Sequence, residues 1–196
     1  MKTPKSVFHK VALTAALTLT PALAQAHPGH DHSSVAGGLL HPVLGMDHLL
    51  AMVAVGLWAA QLGGRARWIV PSTFVSVMAL GGALGANGVA PPFVEQGILA
   101  SVFILGLLIV MAARVPLAAS AAIVGAFALF HGAAHGAEMP ATASGIGYGI
   151  GFMAATAALH LCGVLCGELL RAAAQKSWVR ASGVAVITGG LVLALS

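Results

Sequence analysis

The stretch from His41 to Trp58, HPVLGMDHLLAMVAVGLW, decides how the rest of the chain is read. It sets His41, Asp47 and His48 at the head of an apolar run long enough to enter a bilayer. Ionisable groups at membrane depth cost roughly 2.5–3.5 kcal/mol each on the mildest insertion scale, so they imply a partner or a function. A metal ion is the partner that best fits two imidazoles and a carboxylate.

The composition agrees with a membrane setting. Apolar residues make up 59% of the 196 positions and charged residues only 7%, with 25 glycines, whereas a soluble domain carries about a quarter charged residues. The net charge of +4 comes from nine Lys and Arg scattered between apolar runs. Nucleic-acid binding needs a clustered basic face, so that class is set aside.

Residues 1–26 read as a secretory signal peptide. Lys2, Lys5 and Lys10 make a positive start, Val11 to Leu19 an apolar core too short to span, and Ala24-Gln25-Ala26 a small-x-small cleavage site. Residues 27–38 then form a histidine-containing head, in which His27, His30 and His32 beside Asp31 can capture a divalent cation without fixed geometry. Export places this head outside the cytoplasm, which in a bacterium is the periplasm.

Residues 39–196 are expected to form an all-α bundle of six transmembrane helices. The apolar segments are Leu39–Leu62, Trp68–Asn87, Val94–Ala113, Pro116–His135, Ser144–Leu170 and Trp178–Leu195, each near the ~20 residues that cross ~30 Å of hydrocarbon. Pro42 fits a helix start, with His41 at the N-cap. Arg65 and Arg67 follow the first segment, Arg114 the third, and Arg171, Lys176 and Arg180 the fifth; the loops after the second and fourth hold no Lys or Arg. The positive-inside rule makes that side cytoplasmic and agrees with an exported N-terminus. The expected location is therefore the bacterial inner membrane. Three spans per half also leave room for an inverted 3+3 repeat, although sequence similarity between the halves is weak.

Depth arithmetic brings two motifs together. Asp47 and His48 fall about 10 Å below His41 along a continuous helix. On the fourth segment FHGAAHGAE puts His131, His135 and Glu138 on one helix face, with His131 about 10 Å below the outer end. Glu95, opening the third segment, is expected near His41 and Glu138 at the mouth. Imidazole with carboxylate suits nickel, cobalt or zinc; a hard cation would take nearly all oxygen, and Cu(I) would take sulfur. A single buried His is more often hydrogen-bonded between helices, but two clusters at one depth favour a metal.

HPVLGMDHLLAMVAVGLWA together with FHGAAHGAE resembles the HupE/UreJ family of nickel and cobalt permeases, and the resemblance runs through the region after the signal. It implies a permease supplying metal for hydrogenase or urease, with Ni2+ or Co2+ as transported substrate and no prosthetic group. It also implies that His41, Asp47, His48, Phe74, Glu95, His135 and Glu138 serve transport, Phe74 by lining the path. No P-loop occurs, so facilitated diffusion or secondary transport is expected. The expected partners are the metal ion and the lipid bilayer, with self-association into a homo-oligomer left open.

The remaining marked residues have plainer readings beside functional ones. His160, Cys162 and Cys166 could hand a metal inward, or serve as helix-packing positions. Glu168 can pair with Arg171 three residues on. The pairs Gly81–Gly85, Gly145–Gly149, Gly147–Gly151 and Gly163–Gly167 let helix backbones approach closely, and the methionines form no thioether cluster. The competing class is an intramembrane zinc-dependent hydrolase; no HExxH and no serine with a nearby His and acid stands out for it.

Overall fold

The computed structural model describes residues 35–139, 143–173 and 176–196. The signal segment and His27, His30 and His32 of the head lie outside them. Among the described residues there are seven helices and no strand: α1 (Val35–Leu44), α2 (Met46–Leu62), α3 (Ala66–Ala86), α4 (Val94–Val110), α5 (Leu117–Glu138), α6 (Ala143–Ala172) and α7 (Lys176–Leu195). By length and apolarity α3, α5, α6 and α7 are each able to cross a membrane. α1 and α2 reach that length only as a pair, and α4, with 17 residues, falls just below it.

The first segment is where the structure departs from expectation. Leu39–Leu62 is not one continuous helix; it breaks at Gly45, and α1 and α2 meet at 82°. Pro42 does not start a helix but sits inside α1, which begins at Val35, so four residues assigned to the head are already helical. The proline ring removes one backbone donor and crowds the preceding turn, and Gly45 then takes an extended conformation with φ −78° and ψ 109°. Asp47 and His48 consequently lie in the first turn of α2 rather than mid-helix. There the Asp47 carboxylate accepts the His48 backbone N–H at 2.8 Å, satisfying a donor that the helix start leaves open.

Glycine governs the packing. The most extensive contacts join α3 to α5 and α2 to α6, with α1 lying on α6 and α4 on α7. A Cβ on Gly132 or Gly136 would collide with the α3 backbone, one on Gly163 with α2, and one on Gly151 with α1. Backbones approach this closely only where side chains are absent, which is how helices associate in lipid. The outward faces are apolar instead: Ile146 is 71% and Leu169 70% exposed, beside Trp68, Leu165 and Val192. Apolar residues facing outward, with glycines at the helix contacts and histidines buried, are what a bilayer solvent selects.

The two ends differ in charge. At one end Arg171 donates to the Ala60 carbonyl at 2.6 Å and pairs with Glu168 at 3.1 Å, as its spacing predicts. Arg67 also pairs with Glu168, and Arg180 donates to the Val110 carbonyl at 2.6 Å, so arginines cap the last turns of α2 and α4. Asp47, Glu95 and Glu138 belong to the opposite end.

Candidate metal-ion site

At that opposite end three helices aim imidazoles at one another. α1 supplies His41, α2 supplies His48, and α5 supplies His131 and His135. The ring centroids are 4.6 Å apart for His41 and His135, 4.3 Å for His48 and His135, and 4.7 Å for His48 and His131. The expected meeting of the two motifs is thus present. The expected 10 Å drop from His41 to His48 is not: the break at Gly45 swings α1 across, and the two rings lie 6.3 Å apart.

The hydrogen bonds assign roles within this group. His48 Nδ1 donates to Asp47 Oδ1 at 2.8 Å, leaving Nε2 with a lone pair directed at His135 Nε2. A carboxylate on one imidazole nitrogen with the other nitrogen aimed inward is the usual second sphere of a metal ligand. Asp47, placed with His48 among the metal residues by the sequence, meets the group here through its bond to His48 Nδ1. His135 Nδ1 makes no hydrogen bond and lies 3.5 Å from Glu138 Oε2. Ligand atoms of His41, His135 and Glu138 all fall within 4.8 Å of one another, close enough to share one cation. Glu138 is exposed, His135 buried and His41 between, so this trio grades from solvent to interior.

His131 lies one level deeper and is fully buried. Ser101 Oγ gives its proton to the Ile98 carbonyl at 2.6 Å, so His131 Nε2 donates to Ser101 Oγ at 3.0 Å and Nδ1 keeps its lone pair. Phe74 is fully buried, with its ring 5.6 Å from His131 and 5.0 Å from His160. A cavity of about 110 Å³ runs beside this column from Met139 and Tyr148 down to Met78, with His135 in its wall.

Three sequence-based candidates stand apart. Glu95 is exposed in the first turn of α4 and does not belong to the His41–His135–Glu138 cluster. Cys162 and Cys166 are exposed on the outer face of α6 while His160 is buried on its inner face, because a two-residue step turns the helix by about 200°. The sequence reading had grouped these three; the structure separates them. It also missed Ser101, Tyr148 and Phe152. The latter two rings each stand 5.9 Å from His41, and Phe152 is 4.5 Å from His135. Tyr148 is the chain's single tyrosine, yet nothing local in the sequence marks it as facing inward.

Fold and site together define a multi-pass helical membrane protein with an imidazole–carboxylate cluster at one end. The sequence profile of the HupE / UreJ protein family matches residues 15–193. Protein HupE of Rhizobium leguminosarum bv. viciae is 45% identical over 186 residues, covering 95% of this chain and 97% of that relative. The chain belongs to the HupE/UreJ family, which is associated with nickel and cobalt transport for hydrogenase and urease. No solved structure matches. The intramembrane zinc-hydrolase alternative finds no support in these relationships.

Proposed function

We propose that this protein is a permease, not an enzyme, that brings Ni2+ or Co2+ across the bacterial inner membrane, the ion descending through His and Glu ligands. The observation that carries this reading is the cluster of His41, His135 and Glu138, whose ligand atoms lie within 4.8 Å of one another at the outer end of the histidine column. The ion is cargo and needs ligands that release it as well as bind it, which suits a graded column better than one closed four-ligand cage. His27, His30 and His32 would gather the ion at the periplasmic face, after removal of residues 1–26. Lacking a nucleotide-binding motif, the chain would work by facilitated diffusion or secondary transport.

In this reading α2 with α1, then α3 to α7, make six crossings in two inverted halves. The glycine contacts support it. Gly132 on α5 abuts Met78, Gly81 and Gly82 of α3, while Gly56 on α2 abuts His160, Gly163 and Val164 of α6. Gly81 abuts Leu129 and Ala133, while Gly163 abuts Val53 and Leu57. One constant displacement carries α2 onto α5, and another carries α3 onto α6, through all of these contacts. Such repeats commonly enclose a midplane substrate site.

Uptake of radioactive nickel by cells expressing the chain, with excess cobalt or magnesium as competitor, tests the function. The expected result is uptake suppressed by cobalt and not by magnesium, and lost in Asp47→Asn with normal protein levels in the membrane. Wild-type cells that take up no nickel or cobalt above background would overturn it.

A further inference from the structure

Four buried side-chain atoms have no hydrogen-bond partner among the described residues: His135 Nδ1, His131 Nδ1, His160 Nε2 and Gln61 Oε1. All four are lone-pair acceptors, as the bonds of their neighbouring atoms require. His160 Nδ1 donates to the Met52 carbonyl at 2.8 Å, and a carbonyl only accepts, so Nε2 is bare. Gln61 Nε2 donates to the Ile109 carbonyl at 3.1 Å, which leaves Oε1 as the open acceptor. The same logic gives bare Nδ1 atoms on His131, through Ser101, and on His135, through His48. Buried acceptors without donors are costly and rare, and four of one polarity call for a common cationic visitor.

Their order along the helices is a path. His135 and His131 belong to the outer half of α5, His160 sits mid-way along α6, and Gln61 is at the arginine-capped end of α2. His160 is 1% exposed. Beside it the chain has brought together Phe74, Met78 and Thr156, with Thr156 Oγ1 against Met78 Sδ at 3.8 Å. In the register of the two halves Phe74 matches Thr156, and Met78 matches His160, so this quartet surrounds the local twofold at the α3–α6 crossing. The cysteines of α6 face away from it.

We propose that His160 Nε2 is a second, inner station for the transported metal, receiving it from His131 past the Phe74 ring, with Gln61 Oε1 the acceptor nearest the inner end. The proposal rests on the permease reading. The ligand class is a borderline divalent transition metal, held by neutral imidazole nitrogen and leaving by way of an amide oxygen. Phe74 separates the two stations and keeps the outer and inner sites from merging. Met52 plays for His160 the part Asp47 plays for His48, holding one nitrogen so that the other points to the ion.

The test compares His160→Leu and His160→Cys with wild type in proteoliposomes, measuring 63Ni2+ and 109Cd2+ influx, alongside calorimetric Ni2+ binding to the detergent-purified proteins. His160→Leu should lower Ni2+ influx about 10–100-fold while Ni2+ affinity at the outer cluster stays within about twofold. His160→Cys should restore influx with preference moved toward the softer Cd2+, which a packing role would not produce. Nickel influx at the wild-type level in His160→Leu, or an unaltered Ni2+/Cd2+ preference in His160→Cys, would overturn the inner station. If His160→Leu does not reach the membrane, the cysteine variant decides alone. Absence of influx in wild type would instead remove the permease reading itself.

Discussion

The α3–α5 and α2–α6 pairs are packed through the same glycine register, yet they carry different chemistry. On α5 the face beside Gly132 presents His131 and His135; at the matching positions α2 has Val55 and Ala59. His48 of α2 is matched by Val124 of α5. The glycine contacts of the two pairs are therefore alike, and the polar side chains beside them are not. Helix association is fixed by small residues, which both pairs supply, whereas ion recognition needs only a few polar side chains gathered at one end.

The most damaging way to challenge this comparison is to fill the glycine contacts. Gly132→Val and Gly56→Val should both remove the folded protein from the membrane, since each Cβ meets the facing helix's backbone, and membrane-fraction immunoblots check it. If one half tolerated valine and the other did not, the packing equivalence would be wrong.

The next effect concerns the asymmetric ligands. His48→Ala should weaken Ni2+ binding by more than 100-fold, and Asp47→Asn, which removes only the orienting carboxylate, by about 10–100-fold. Val124→Ala at the matching position of α5 should leave calorimetric affinity within about twofold. Equal losses at His48 and Val124 would mean a site shared by both halves.

A smaller effect is expected at Ser101. Ser101→Ala deletes the hydroxyl that fixes the His131 tautomer, so nickel influx should fall about tenfold with outer-cluster affinity nearly unchanged. Acidification acts in the same direction, because a protonated imidazole has no lone pair for metal. Measured Ni2+ affinity should fall on acidification, by up to tenfold per unit for each proton the metal must displace. An affinity that rose on acidification would contradict imidazole ligands. The smallest effect is none: Cys162→Ser with Cys166→Ser should transport at the wild-type rate, because both thiols lie on the outer face of α6.

Much of this architecture was legible in the sequence. Apolar run lengths and arginine positions marked the helices, and the spacing of His41, Asp47 and His48 against His131, His135 and Glu138 brought the two motifs to one level. The break at Gly45 was not legible, because Pro42 reads equally well as a helix start and as an interior kink. Nor were the partners that set each imidazole's tautomer. Ser101 and the Met52 carbonyl act through contacts between helices distant in sequence, and a backbone carbonyl leaves no trace in side-chain pattern. His160 was visible as a residue but was grouped with the wrong neighbours, since the turn of α6 sends Cys162 and Cys166 to the opposite face.

X-ray absorption at the nickel edge of purified, Ni2+-loaded protein tests the central claim most directly, run beside His135→Ala. A first shell of nitrogen and oxygen with outer-shell imidazole scattering, diminished in the variant, is the predicted result. A sulfur shell, or a spectrum unchanged by loss of His135, would contradict it.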